Sequence, residues 1–163
     1  MSKTYDNLKE AFAGESQANR KYLAFAHKAD QENMPYAARI FRAAAEAETI
    51  HAHAHLRAMK GIGTTEENLK EAISGETFEF EEMYPPMIQD AQAEGEKSAE
   101  RSMVLANEAE KVHAEMFKKA LADPGKEPPK VYICKVCGHV AEDHAPDACP
   151  ICGSKGHVYQ EID

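Results

Sequence analysis

Two short patterns occur twice in this chain, and both are built from metal-binding residue types. Glu48-x-x-His51 recurs as Glu110-x-x-His113, and Cys134-x-x-Cys137 recurs as Cys149-x-x-Cys152. On a helix, residues three apart lie on one face, about 4.5 Å apart along the axis. A carboxylate oxygen and an imidazole nitrogen can then reach one ion. One Glu-x-x-His in a glutamate-rich helix is usually chance. Two copies in separate helical segments form a pattern, and the other two helical segments supply matching carboxylates. These are Glu15, beside the small residues Gly14 and Ser16, and Glu79 with Glu82, again three apart. Glu46, Glu76, Glu81, Glu100, Glu108 and Glu115 read as solvated or structural, and His27 as a surface histidine.

The two C-x-x-C pairs enclose an 11-residue spacer. Such knuckles build a tetrahedral thiolate site that accepts zinc or iron. Gly138 and Gly153 each follow the second cysteine of a pair, where glycine permits the tight turn that aims backbone N–H groups at sulfur. Spacing alone leaves a structural zinc ribbon and an electron-carrying iron site both open. Tyr132, Pro150 and the carboxylate–histidine pattern in the same chain favour iron.

These residues must be held by elements that the rest of the sequence specifies. The chain has 163 residues and a net charge of −9, from 28 acidic and 19 basic residues. That balance disfavours nucleic acid and anionic membrane surfaces as partners. No apolar run approaches the roughly 20 residues of a membrane span, and "MSKTYDNLKE" lacks a signal-peptide core. The expectation is a soluble, cytoplasmic protein, where clustered cysteines bind metal rather than pair as disulfides.

Residues 1–122 are rich in Ala, Glu and Lys at helical spacing; "DPGKEPPK" at 123–130 reads as a linker; residues 131–163 carry every cysteine. The prediction is an all-α four-helix domain over 1–122 and a small β/loop metal domain over 131–163. A segment of about 33 residues needs such a metal staple to fold. The first helix runs from Thr4 to Gln31, and Pro35 opens the second, which ends at "GIG" (61–63). Thr64 and Glu67 form a capping box for the third, and Gly95 separates it from the fourth, which stops before Asp123. Pro85 and Pro86 cannot donate to the carbonyls of Glu81 and Glu82, so the third helix should kink there.

One Glu from each of two helices, with Glu-x-x-His from each of the other two, matches the ligand set of a ferritin-like di-iron bundle. Four carboxylates neutralise two ferrous ions, and a mixed oxygen and nitrogen set suits redox-active iron. The segments "FAGESQANRKY" (12–22), "EAETIHAHAHL" (46–56), "GETFEFEEMYP" (75–85) and "AEKVHAEMF" (109–117) resemble the four helix signatures of the rubrerythrin family. The tail "YICKVCGHV…CPICG" resembles that family's C-terminal rubredoxin-like domain.

The resemblance covers almost the whole chain and implies two non-haem irons and one rubredoxin-type iron per subunit. One iron of the pair would be held by Glu15 and by His51 or Glu82, the other by Glu79 and His113, with Glu48 and Glu110 bridging. Cys134, Cys137, Cys149 and Cys152 would hold the third iron. His51 and Glu82 would exchange at the first iron with oxidation state and so act in catalysis. The implied activity is that of a peroxidase: hydrogen peroxide goes to water, with electrons relayed through the cysteine-bound iron. The electrons would come from rubredoxin or an NAD(P)H-dependent reductase. The alternative in another class is a ferritin-like iron-storage or ferroxidase protein, which needs neither Glu82 nor the cysteines. A third is an electron carrier or zinc-stabilised scaffold with an idle bundle.

In "ETIHAHAH" (48–55) the helical turn separates three alternating histidines. His51 shares the face of Glu48, His53 points to solvent, and His55 returns to the interior as a non-ligating neighbour. Tyr22, seven residues after Glu15, shares that helix face and reads equally as a hydrogen-bond partner of a ligand carboxylate or as a core aromatic, whereas Tyr84 points aside from Glu79 and Glu82. Finally, in a ferritin-like bundle the second and third helices run parallel and need a long crossover. Residues 61–64 cannot span a helix of roughly 35 Å at ~3.6 Å per residue. The expectation is a domain-swapped homodimer, with each metal pair held by two chains.

Overall fold

The computed structural model describes residues 2–162. Helix α1 spans Lys3–Gln31 and α2 spans Pro35–Ala58. Ser2 caps α1, its hydroxyl accepting the Tyr5 N–H at 3.3 Å. Pro35 opens α2, where its missing N–H costs nothing. The pair is an antiparallel hairpin. Asp30 meets Arg42 at 2.8 Å near the turn, the Phe25 ring meets Phe41 edge-on, and Asn19 reaches Ala45 and Thr49 further along. The buried residues of this hairpin are all alanines: Ala26, Ala29, Ala38, Ala45 and Ala52. Small side chains along the seam let the two backbones approach closely.

Thr64 starts the second half with the capping box read from the sequence. Its hydroxyl accepts the Glu67 N–H at 3.3 Å, and the Glu67 carboxylate accepts the Thr64 N–H at 2.7 Å. Helix α3 (Thr65–Phe78) then widens into a π-turn over Glu79–Met83 before α4 (Tyr84–Glu94). The Tyr84 N–H bonds to the Glu79 carbonyl five residues back. The expected proline kink is therefore an inserted residue in the helix, the usual form of a π-bulge. Gly95 ends α4 at φ 75°, a left-handed cap that favours glycine. Helix α5 spans Lys97–Ala122, and α3, the π-turn and α4 all pack against it.

No helix or strand forms over 123–130. Beyond it lies a three-stranded antiparallel sheet in the order β2-β1-β3, with β1 Val131–Cys134, β2 Val140–Glu142 and β3 Tyr159–Ile162. The molecule is thus mostly helical, with a small three-stranded sheet toward its C-terminal end. Its contacts divide it into two compact units that meet in sequence at Gly63–Thr64. The stretch expected as one helical domain over 1–122 is shared between those units. Among the described residues no helix is long and apolar enough to cross a membrane.

One close approach in the cysteine module leaves no room for a side chain. A Cβ on Gly156 would lie 2.6 Å from the backbone carbonyl oxygen of Pro146, which cannot yield without moving the loop. Gly156→Ala should destabilise this module by about 1–3 kcal/mol, the usual cost of overpacking. Thermal unfolding followed at the cysteine–metal absorption should show the loss, while the helical far-ultraviolet signal melts at its original temperature.

Candidate metal centres

The first unit gathers Glu15 from α1 with Glu48 and His51 from α2. His51 Nδ1 lies 2.9 Å from Glu48 Oε2 and 3.8 Å from Glu15 Oε1. The Asn19 amide sets this geometry from one turn away. It donates to the Ala45 carbonyl at 2.7 Å and to the Thr49 hydroxyl at 2.9 Å, pinning α1 to α2 beside Glu48. The His51 side chain is 54% exposed. His53 is exposed and His55 half-buried, and neither belongs to the cluster. Tyr22 packs with the Phe25 and Phe41 rings, two helical turns beyond Glu15.

The second unit repeats the arrangement with Glu76 from α3 and Glu110 and His113 from α5. His113 Nδ1 lies 2.6 Å from Glu110 Oε2 and 3.8 Å from Glu76 Oε2. Glu76, expected from the sequence to be solvated or structural, stands in this cluster where Glu79 was the expected ligand. Glu79 lies outside this three-residue set, at the start of the π-turn, and Glu82 is exposed. The reason is rotational. α3 turns its Glu76 face to α5, and the extra residue of the π-turn carries Glu82 off that face.

The electrostatics show a strongly acidic pocket. Burial and the Glu110 charge push the Glu76 carboxyl up, and burial and the Glu76 charge push Glu79 up. Tyr84, which the sequence reading set aside, also faces this group: burial and the charges of Glu79, Glu110 and Glu76 raise its phenol. Among the described residues no lysine or arginine pairs with these carboxylates; their only ion-pair partner is His113. A crowd of carboxylates without a cation is the donor set of a dication site. Iron ions fit each cluster through carboxylate oxygens and an Nδ1.

The histidine tautomer can be assigned. His113 Nε2 lies 3.0 Å from the Gly138 carbonyl oxygen, which can only accept. Nε2 therefore carries the proton and Nδ1 offers its lone pair to a metal. Gly138 follows Cys137, so this bond joins the second cluster directly to a cysteine knuckle.

All four cysteines converge. Cys134 and Cys152 sulfurs stand 3.7 Å apart, and Cys137 and Cys149 3.5 Å. A tetrahedron with metal–sulfur bonds of about 2.3 Å has edges of about 3.8 Å, so the cluster fits one tetrahedral ion. The knuckles are built alike: Gly138 N–H bonds to the Cys134 carbonyl and Gly153 N–H to the Cys149 carbonyl, both at 2.9 Å, with φ of 80° and 73° at the glycines. Burial drives the Cys137 thiol up. At Cys149 burial also acts upward, but the Cys152 N–H, the Tyr159 hydroxyl and the Ile151 N–H outweigh it and bring the thiol to about 6. Cys134 and Cys149 are buried, while Cys137 and Cys152 are half-buried.

The fold and these sites define a ferritin-like di-iron carboxylate protein with a rubredoxin-like module. Comparison with known proteins is specific. The family model Rubrerythrin matches residues 6–121, and the model described as "Rubrerythrin, rubredoxin-like domain" matches residues 132–159. Rubrerythrin-2 of Clostridium acetobutylicum is 39% identical, over 96% of this chain and 95% of its own length. Nigerythrin of Nitratidesulfovibrio vulgaris is 34% identical, over 93% of this chain and 83% of its own. A solved structure of nigerythrin in a partially reduced state superposes with a TM-score of 0.60 at 31% identity, covering 99% of this chain and 88% of that one. The chain belongs to the rubrerythrin family.

The choice between Glu76 and Glu82 is open to a direct check. Glu76→Ala should remove one carboxylate–histidine iron per chain, counted by metal analysis after anaerobic reconstitution. Glu82→Ala should leave the count unchanged.

Proposed function

We propose that this chain reduces hydrogen peroxide to water, with electrons passed from the four-cysteine iron to a carboxylate-bound iron pair. Hydrogen peroxide takes up two electrons and two protons, its O–O bond breaks, and two waters leave. Bound iron supplies the electrons and the Lewis acidity. The chain's own residues do the rest. Glu76, Glu110 and His113 hold one ion, and Glu15, Glu48 and His51 the other. Glu79 is the additional carboxylate that the family resemblance calls for, in place of Glu82. Its position on the π-turn, where the helix is already widened, favours movement.

The observation that carries this reading is the His113–Gly138 hydrogen bond. It links a candidate iron ligand to the backbone of a cysteine knuckle. A storage protein has no use for such a one-electron route, whereas an enzyme that must be re-reduced after each turnover needs one. The electron donor is proposed to be a rubredoxin or an NAD(P)H-dependent reductase.

The functional unit is proposed to be a domain-swapped homodimer. Each unit of the chain carries half of the ligand set, one Glu and one Glu-x-x-His. Among the described residues the buried apolar residues of the helices are alanines, while Leu23, Phe25, Tyr36, Ile40, Ile50 and Phe78 are exposed. So many large apolar side chains call for a covering partner.

The iron-loaded protein, reduced anaerobically, should be reoxidised rapidly by two-electron equivalents of hydrogen peroxide and slowly by dissolved oxygen, followed by stopped-flow absorption. Rapid oxygen-driven uptake of excess ferrous iron into a mineral, with sluggish response to peroxide, would instead establish the storage reading.

A further inference from the structure

The two cysteine knuckles share one backbone plan, and a different residue closes each. In the first, the Cys134 N–H bonds to the His139 carbonyl at 2.8 Å and the Gly138 N–H to the Cys134 carbonyl at 2.9 Å. In the second, the Cys149 N–H bonds to the Ser154 carbonyl at 2.7 Å and the Gly153 N–H to the Cys149 carbonyl at 2.9 Å. His139 and Ser154 are therefore equivalent positions, each two residues beyond the second cysteine of its pair. Their side chains go different ways. The His139 ring turns to Tyr159, with Nδ1 at 2.7 Å from the phenol oxygen. Ser154 Oγ lies 3.2 Å from Cys152 Sγ and is hydrogen-bonded to it.

Backbone bonds carry the serine to that place. Its carbonyl takes the Cys149 N–H, Ala148 and Lys155 pair as an antiparallel bridge, and the Gly156 N–H bonds to the Asp147 carbonyl at 2.8 Å. A short closed ladder thus sets where the hydroxyl stands. The direction of its bond follows from counting protons. A metal-bound thiolate has none and can only accept, whereas the serine hydroxyl has one to give. With a metal in the site, Ser154 donates to Cys152 Sγ.

We propose that Ser154 is a positioning residue that raises the reduction potential of the iron held by the four cysteines. The physical basis is charge. The reduced four-thiolate site is one unit more negative than the oxidised one, so a donor aimed at sulfur stabilises it more. Cys152 is half-buried, so it is not fully hydrated, and a fixed donor counts for more there than at an exposed sulfur. The first knuckle has the same backbone donors but spends its equivalent side chain on Tyr159. The serine hydroxyl is a donor that a single substitution can remove without touching a ligand or a backbone bond.

The proposal rests on iron in the cysteine site and not on peroxide as the substrate. The test is equilibrium redox titration of the full-length protein reconstituted with iron, read at the cysteine–iron absorption. Ser154→Ala loses only the hydroxyl; its midpoint should shift to a more negative potential with unchanged iron content. Ser154→Thr and Ser154→Val form a second pair, alike in shape and differing in the hydroxyl. The Thr midpoint should lie near the original value and the Val midpoint near that of Ser154→Ala. A midpoint in Ser154→Ala that is unchanged or more positive, or equal midpoints in the Thr and Val variants, would overturn the proposal. Failure of Ser154→Ala to load iron would make the residue structural and would overturn it as well. A protein that accepts only zinc at its cysteines would overturn both the iron reading and the proposal. The expected shifts with no peroxide turnover would overturn only the function proposed above.

Discussion

The structure depends on one unfavourable interaction, the crowding of carboxylates that have no cation among the described residues. Glu76, Glu79 and Glu110 face one another and the Tyr84 phenol, with only His113 to offset them. Burial and the Glu110 charge push the Glu76 carboxyl up, and burial and the Glu76 charge push Glu79 up. A protein that placed these groups together for stability alone would gain nothing. Two divalent ions turn the same crowding into binding energy, because each charge then has a partner. In the first unit the small seam residues and the Asn19 clamp likewise hold Glu15 close to Glu48 and His51.

The same logic explains why each unit looks incomplete. A three-donor cluster with its histidine more than half exposed is half of a site. A helical hairpin whose buried residues are alanines, with phenylalanine and isoleucine outside, is half of a core. In the proposed swapped dimer a second copy of the chain meets both deficits. The cysteine module is different. Its four sulfurs already lie at tetrahedral spacing, and its sheet and knuckles are hydrogen-bonded within themselves.

Much of this was legible in the sequence because its signals are local. The Thr64–Glu67 capping box, Pro35 at a helix start, Gly95 at a helix end and the two C-x-x-C knuckles each act within a few residues. The ligand frame in α3 was not legible. Glu76, Glu79 and Glu82 form two equivalent pairs at the same spacing, and which pair faces α5 is decided by packing. Tyr84 was left aside for a related reason. Five residues from Glu79 is off-face on a regular helix. The Tyr84 N–H bonds to the Glu79 carbonyl five residues back, so the π-turn brings Tyr84 about one turn beyond Glu79. The signal was present in Pro85-Pro86, which predicted a break but not its form.

The account turns on each chain holding two halves of different sites, and complementation between inactive variants tests that most directly. Glu15→Ala damages the first unit and Glu110→Ala the second, so each homodimer should lack an intact iron pair. Unfolded together, refolded and reconstituted with iron, half of the dimers should be mixed. Each mixed dimer would contain one intact site, restoring about a quarter of the wild-type peroxide reoxidation. If the refolded mixture stays as inactive as the separate variants while mass spectrometry shows mixed dimers, each site is built from one chain and the account is wrong.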